Sequence, residues 1–187
     1  MKIIIIGLGL IGGSIAKTLS NSEDYEILAF DSHQSSIKNA LDKKSIQGSL
    51  HTLDDLENPE YENSLVIIAT PPSVTNSILR SLEFLFNSSI TITDTTSTKS
   101  FLKKTLQEFN FPKNFIFSHP VAGSHLSGEK NSVADLFNGK PTILSYHDLV
   151  ELKHVDRVTN LWNMLGSKIT VLDADLHDQI FAYSSHL

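Results

Sequence analysis

Apolar residues along the chain fall into two alternating rhythms. Short aliphatic runs, too brief for helices, recur between longer stretches with apolar positions three and four apart. Lys2 to Ile6 is the first such run, and Gly7 stops it. Gly12 to Leu19 follows, with Ile15, Ala16 and Leu19 on one helical face. Tyr25 to Phe30 reads as a second strand ending at Asp31, and Ser35 to Lys43 as a polar helix. Ser64 to Ala69 is a third clear strand, closed by Thr70-Pro71-Pro72. Val74 to Phe86 has helical spacing in Ile78, Leu82, Leu85 and Phe86, and Ile90 to Thr93 and Lys99 to Phe109 repeat strand and helix. Phe115 to Ser118, Thr142 to Ser145 and Lys168 to Leu172 are further short strands. Leu149 to Leu165 reads as a long helix carrying the only tryptophan, Trp162, and Leu176 to Leu187 as a last helix.

Strands alternating with helices predict an α/β fold, a doubly wound and mostly parallel sheet with helices on both faces. Ligands of such sheets bind at the carboxyl ends of the strands, where strand order reverses. One boundary suggests itself near Leu172 to Asp175, giving a nucleotide-binding unit over 1–172 and the start of a second, helical unit over 173–187.

Composition narrows the classes. The chain has 187 residues, 40% hydrophobic and 19% charged, which suits one medium domain with a good core. Its net charge of −6 comes without a basic run, which argues against nucleic acid as a partner. The absence of cysteine excludes disulfides, thiolate metal sites and cysteine nucleophiles. The longest apolar runs are far too short to span a membrane, and the first residues lack the pattern of a secretory signal, so a cytoplasmic location is expected. No zinc-type spacing such as H-E-x-x-H occurs, and no metal is expected.

Gly7-Leu8-Gly9-Leu10-Ile11-Gly12 fits G-x-G-x-x-G. It follows a strand and opens a helix, the context in which this turn binds a dinucleotide. Gly7 permits the tight turn, Gly9 lets the backbone approach a pyrophosphate, and Gly12 lets helix and strand pack closely. The helix N-terminus then offers amides to the phosphates. Asp31 ends the second strand about 20 residues on, where a carboxylate accepts from both ribose hydroxyls. A 2′-phosphate would meet like charge there, and Ser32-His33-Gln34 supply no arginine, so NAD is expected over NADP. A solvated loop aspartate or a helix cap is the plain alternative for Asp31. Thr70-Pro71-Pro72 makes a rigid turn against the nucleotide, or simply a helix start with proline in its first turn.

Two residues stand out for chemistry. His119 follows the strand Phe115 to Ser118 and precedes Pro120, which fixes its backbone as extended. A histidine there faces the ligand crevice and can take a proton near neutral pH, although a buried histidine satisfied by local hydrogen bonds fits its position equally well. Ser97 lies in the hydroxyl-rich segment Asp94 to Lys99, where Ser97 or Thr98 could cap the next helix or Ser97 could hydrogen-bond a substrate hydroxyl. No G-x-S-x-G elbow occurs, which excludes a serine hydrolase. His33, His51, His147 and His154 lie in polar stretches and are expected to be solvated. His177 and His186 are too far apart on one helix to share a metal.

Several segments together resemble the prephenate and arogenate dehydrogenases. They are Gly7 to Ser14, Asp94 to Lys99 (similar to D-x-x-S-x-K), and His119-Pro120-Val121-Ala122-Gly123-Ser124 with Ser127-Gly128 (similar to H-P-x-A-G-[ST]-x-x-S-G). Asp135 to Lys140, and His177-Asp178 with Ser184-Ser185-His186-Leu187 (similar to H-D…S-H-L-P-H), complete the set. The resemblance implies a Rossmann-type NAD-binding domain. It implies oxidative decarboxylation of prephenate to 4-hydroxyphenylpyruvate, with arogenate as the alternative substrate. His119 would accept the hydroxyl proton and Ser97 would hold the same hydroxyl, with Ser124 and His186 facing the substrate. His125 stands where many relatives carry glutamate near the pocket mouth. The family continues beyond the last motif into a helical domain that forms a homodimer, so Leu187 is expected to interrupt a motif and Leu176 to Leu187 to lack its packing partners. Dehydrogenases of other substrates in the same fold, and a non-catalytic NAD-binding module, are the competing readings.

Overall fold

The computed structural model describes residues 1–122 and 131–184, with 182–184 as backbone only. Eight strands form one sheet: β1 (Lys2–Ile6), β2 (Glu26–Phe30), β3 (Gly48–Ser49), β4 (Leu65–Ile68), β5 (Thr91–Asp94), β6 (Phe115–Pro120), β7 (Pro141–Ser145) and β8 (Lys168–Val171). Their spatial order is β3-β2-β1-β4-β5-β6-β7-β8. The first six run parallel; β7 is antiparallel to β6, and β8 is parallel to β7. Six α-helices accompany them among the described residues: α1 (Leu10–Leu19), α2 (Gln34–Asp42), α3 (Pro72–Ser81), α4 (Ser100–Glu108), α5 (Leu152–Met164) and α6 (Ala174–Ser184).

The alternation inside β1 shows why the sheet is covered twice. Ile3 and Ile5 join α1, α2 and α5 through Ile15, Ile37 and Trp162 on one face. Ile4 and Ile6 join α3 and α4 through Leu79, Leu102 and Leu106 on the other. All four isoleucines are at most 1% exposed, and each fully buried one contributes roughly 1.5–3 kcal/mol. This two-sided burial is what turns β1 into an unbroken apolar run. Trp162, fully buried, donates its Nε1–H to Ser118 Oγ at 3.0 Å, so α5 is fixed to β6 by packing and by a satisfied indole.

Several elements differ from the sequence reading. α1 begins at Leu10 rather than Gly12, and the Val74–Phe86 stretch is α3 followed by a separate 3₁₀ turn over Glu83–Leu85. β6 continues through Pro120, because β7 pairs with it as far as Pro120↔Thr142. His119 is therefore inside the strand's last turn of pleat and not after it. His154 is 1% exposed and shares a 2.6 Å hydrogen bond with Thr91 Oγ1, contrary to its expected solvation. It sits four residues before Val158 on the buried face of α5, a spacing visible in the sequence.

Burial above all, with Lys153 and Arg157 nearby, lowers the His154 pKa from 6.5 to about 4. His119 is lowered to about 4 as well. A depressed pKa means the unfolded chain takes up protons that the folded chain refuses. Their contribution is complete above pH 6.5 and is lost as pH falls towards 4. Urea unfolding at pH 7.5 and pH 5 is expected to show lower stability at pH 5, with a smaller loss in His154→Gln. A loss of equal size in that variant would contradict the assignment.

Candidate active site

Strand order reverses between β2-β1 and β4-β5, and the carboxyl ends of β1 and β4 open there into two adjoining cavities. The first, about 490 Å³, is lined by the Gly7–Gly9 turn, Asp31, Ser32, Thr70 and Pro71. The second, about 730 Å³, is lined by Gly9, Leu10, Ile11, Thr70, Pro71, Pro72, Ser97 and His119. Gly9, Thr70 and Pro71 border both, so one continuous cleft joins Asp31 to His119.

The glycines divide by what each would touch. Gly7 has φ +97°, and a Cβ there would lie 2.8 Å from the Ala69 carbonyl oxygen. A Cβ on Gly12 would meet the Gly7 carbonyl oxygen at 1.9 Å, so Gly12 packs under the turn and lines neither cavity. Both are required by the fold itself. A Cβ on Gly9 would meet nothing within 4 Å. The bare backbone at Gly9 thus faces open cleft, as close approach of a phosphate requires. Gly9 also precedes α1 with no side-chain cap, which leaves the first amides of α1 available to an anion.

Asp31 Oδ2 accepts from the Leu8 amide at 2.7 Å and Oδ1 from the His33 amide at 2.8 Å. The carboxylate is thereby clamped between the glycine turn and α2, and its remaining lone pairs can take a diol. Pro72 opens α3 after Pro71, so the helix-start reading of the proline pair holds while both prolines line the cleft.

Ser97 is exposed and lines the second cavity together with His119. Neither Ser97 nor Thr98 caps α4. The cap comes from α6: Asp178 accepts from the Lys99 amide at 2.9 Å and the Ser100 amide at 2.7 Å, and from the Ser100 hydroxyl. Those bonds, with one from His177, outweigh burial and hold the Asp178 carboxyl below its usual range. α6 is therefore docked on one face through its first turns, with Asp173 capping it through the Asp175 and Leu176 amides, while Leu176 and Ile180 stay exposed as expected of a helix short of packing partners.

His119 is 8% exposed. Burial first, then the Lys99 ammonium and His177, lower its pKa to about 4, against the pull of Asp178. It is neutral at pH 7 and can accept a proton. Its Nδ1 lies 2.8 Å from His177 Nε2, and the Phe181 ring packs edge-on at 4.7 Å between centroids. Below it, Lys99 is buried with Asp94: Nζ donates to Asp94 Oδ2 at 2.7 Å and to the Ser118 carbonyl at 2.6 Å. Asp94 Oδ1 in turn accepts from the Ser118 amide at 3.2 Å. The pair thus ties the end of β5 to the residue preceding His119. Sequence reasoning treated Lys99 only as part of a motif and His177 as a weak candidate. The spacing Ala174, His177, Phe181 marks one helical face and is the signal that could have placed His177 inward. Ser124, His125 and His186 lie outside the described residues. Among the described residues no group of acids and histidines is arranged to hold a metal, and no helix is long and apolar enough to cross a membrane.

Residues 15–171 match the family model described as prephenate dehydrogenase, nucleotide-binding domain. A prephenate dehydrogenase of Lactococcus lactis is 34% identical over 99% of this chain and 50% of its own length. A cyclohexadienyl dehydrogenase of Zymomonas mobilis is 29% identical over 99% of this chain and 62% of its own. The crystal structure of prephenate dehydrogenase from Aquifex aeolicus, in complex with hydroxyphenyl propionate and NAD+, superposes with a TM-score of 0.86 at 27% identity. That match covers 97% of this chain and 63% of the other. The chain thus spans between half and two thirds of the length of these relatives. With the family model matched over most of the sheet and the cleft assembled at its switch point, the chain belongs to the prephenate dehydrogenase family, as its nucleotide-binding domain.

Proposed function

We propose that the chain is the NAD-binding, proton-accepting part of a dehydrogenase that converts prephenate to 4-hydroxyphenylpyruvate with loss of CO₂, in tyrosine biosynthesis. The observation that carries this reading is the cleft running from the ribose-type acceptor Asp31, past the open backbone of Gly9, to the part lined by the neutral His119 and Ser97. NAD, when bound, supplies the acceptor for the hydride leaving the ring carbon that bears the hydroxyl. Gly9 and the first amides of α1 would hold the pyrophosphate, and Asp31 the adenosine ribose. His119 takes the hydroxyl proton during oxidation and returns it to the oxygen as the ring becomes a phenol. Ser97 holds that oxygen in place, so catalysis here is mainly positioning. Ser124, His125 and His186 are assigned to the substrate side by the same reading. The longer protein would work in the cytoplasm as a homodimer joined through a helical unit that α6 begins.

Calorimetric titration with NAD and NADP tests the cofactor half. NAD is expected to bind in preference. Asp31→Ala is expected to weaken NAD binding roughly 10–100-fold, the equivalent of a charged hydrogen bond worth about 1.5–3 kcal/mol. Equal affinity for both nucleotides, unaffected by the substitution, would remove Asp31 from the site. Assays with prephenate and with arogenate decide the substrate, prephenate being the expected one.

A further inference from the structure

His119 makes contacts on one ring nitrogen that its role as a base does not explain. His119 Nδ1 lies 2.8 Å from His177 Nε2, and His177 Nδ1 lies 2.7 Å from Asp178 Oδ1. His177 is fully buried, and Phe181 stacks on it with ring centroids 4.7 Å apart. Asp178 is itself fixed, because it accepts from the amides of Lys99 and Ser100 at the start of α4. Three side chains from two elements therefore form one line from a clamped carboxylate to the cleft.

The direction of this line follows from what each atom can do. A carboxylate only accepts, so the hydrogen between His177 and Asp178 sits on His177 Nδ1. A neutral His177 then presents a lone pair at Nε2, and His119 must donate from Nδ1. The second nitrogen of His119, Nε2, is left bare, and among the described residues it has no hydrogen-bond partner. We infer that Asp178 and His177 are positioning residues that set the His119 tautomer, leaving Nε2 as the proton acceptor in the cleft. This rests on the proposed reaction only for its consequence; the tautomer itself is a property of the chain.

The line also handles charge. When Nε2 takes the substrate proton, an N–H forms there as the substrate O–H breaks. The Nδ1 proton can then move to His177 Nε2, which places the positive charge beside the Asp178 carboxylate. His119, whose charged form the Lys99 ammonium opposes, is thereby relieved of the charge. The reverse shift restores the starting state when the proton returns to oxygen. Among the described residues, the charged and titratable groups around His119 are Lys99 and Asp94 beneath it and His177 and Asp178 from α6.

Long-range proton–nitrogen correlation spectra of the histidine rings in this chain at pH 7.5 test the inference without any substrate. His119 is expected to show a protonated Nδ1 and a bare Nε2, and His177 a protonated Nδ1. In His177→Leu the bare-nitrogen signature is expected to move from Nε2 to Nδ1, the tautomer that free imidazole favours in water. His177→Gln, whose carbonyl can still accept from Nδ1, is expected to restore the original pattern. The Ser100 amide resonance reports whether α6 remains docked on α4 in each variant. An unchanged His119 tautomer in His177→Leu with that resonance in place would overturn the inference, as would a doubly protonated His177 in the parent chain. In an assay with prephenate, His177→Leu is expected to lower kcat at least tenfold with NAD affinity unchanged, and His177→Gln to recover most of it. If no dicarboxylated cyclohexadiene is turned over at all, the proposed reaction fails while the ring-nitrogen result still decides the tautomer.

Discussion

Replacing His119 by alanine is expected to lower kcat for prephenate by roughly 10²–10⁴-fold, the usual worth of a positioned general base, while NAD affinity stays unchanged. The separation follows from the layout of the cleft. His119 lines the second cavity only, with Ser97, whereas Asp31 and Ser32 line the first. Steady-state kinetics and calorimetry on the same preparations check it. A loss of nucleotide binding in parallel with turnover would mean that His119 shapes the cofactor site instead. Retention of most of kcat would move the base elsewhere. The effect should exceed that of the positioning variants, because those leave a ring nitrogen in the cleft and only misassign its proton.

Lys99→Ala is expected to destabilise the chain by about 3–5 kcal/mol, the range found when one member of a buried ion pair is removed. Lys99 is 1% exposed and Asp94 is fully buried, so the substitution would leave the Asp94 carboxyl buried without its countercharge. Burial pushes the Lys99 ammonium down, and the adjoining Asp94 and then Asp178 oppose that shift. Against a typical total of about 5–15 kcal/mol, such a loss would bring a domain at the low end of that range close to unfolding. Replacing both partners together, as Lys99→Met with Asp94→Leu, is expected to restore much of the loss, since the desolvation of two ions disappears with them. Urea unfolding of the single and double variants measures both. A single-variant loss below about 1 kcal/mol would mean that Lys99 acts as an exposed pair does.

The layers of the sheet were legible in the sequence where burial is two-sided. Ile3 to Ile6 and Leu65 to Ile68 could be read directly, because central parallel strands carry no polar alternation to confuse them. β3 was not legible. Gly48 and Ser49 pair along an edge through two residues, and nothing apolar marks them. The reversal at β7 was half visible: the sequence pattern places no helix between Phe115–Ser118 and Thr142–Ser145, and a parallel neighbour usually needs one. The glycine turn and Asp31 were found because local chemistry dictates them. Lys99, His177 and Asp178 were not assigned roles, because their meaning comes from contacts between β5, β6 and α6 that lie up to 79 residues apart. Sequence order hides such partners even when helical spacing reveals which side faces inward.

Asp178 gives the fold a property that reaches beyond one hydrogen bond. By capping α4 from a neighbouring helix, it makes the last segment of the described chain a structural member of the sheet it follows. A seam drawn at Leu172 would look natural from the strand pattern, yet it would strip α4 of its cap and His119 of its neighbour in one cut. Exchange of whole nucleotide-binding units between enzymes would then have to carry α6 along, or rebuild its carboxylate. Recombination across this seam is constrained by two histidines and an aspartate rather than by the size of any interface.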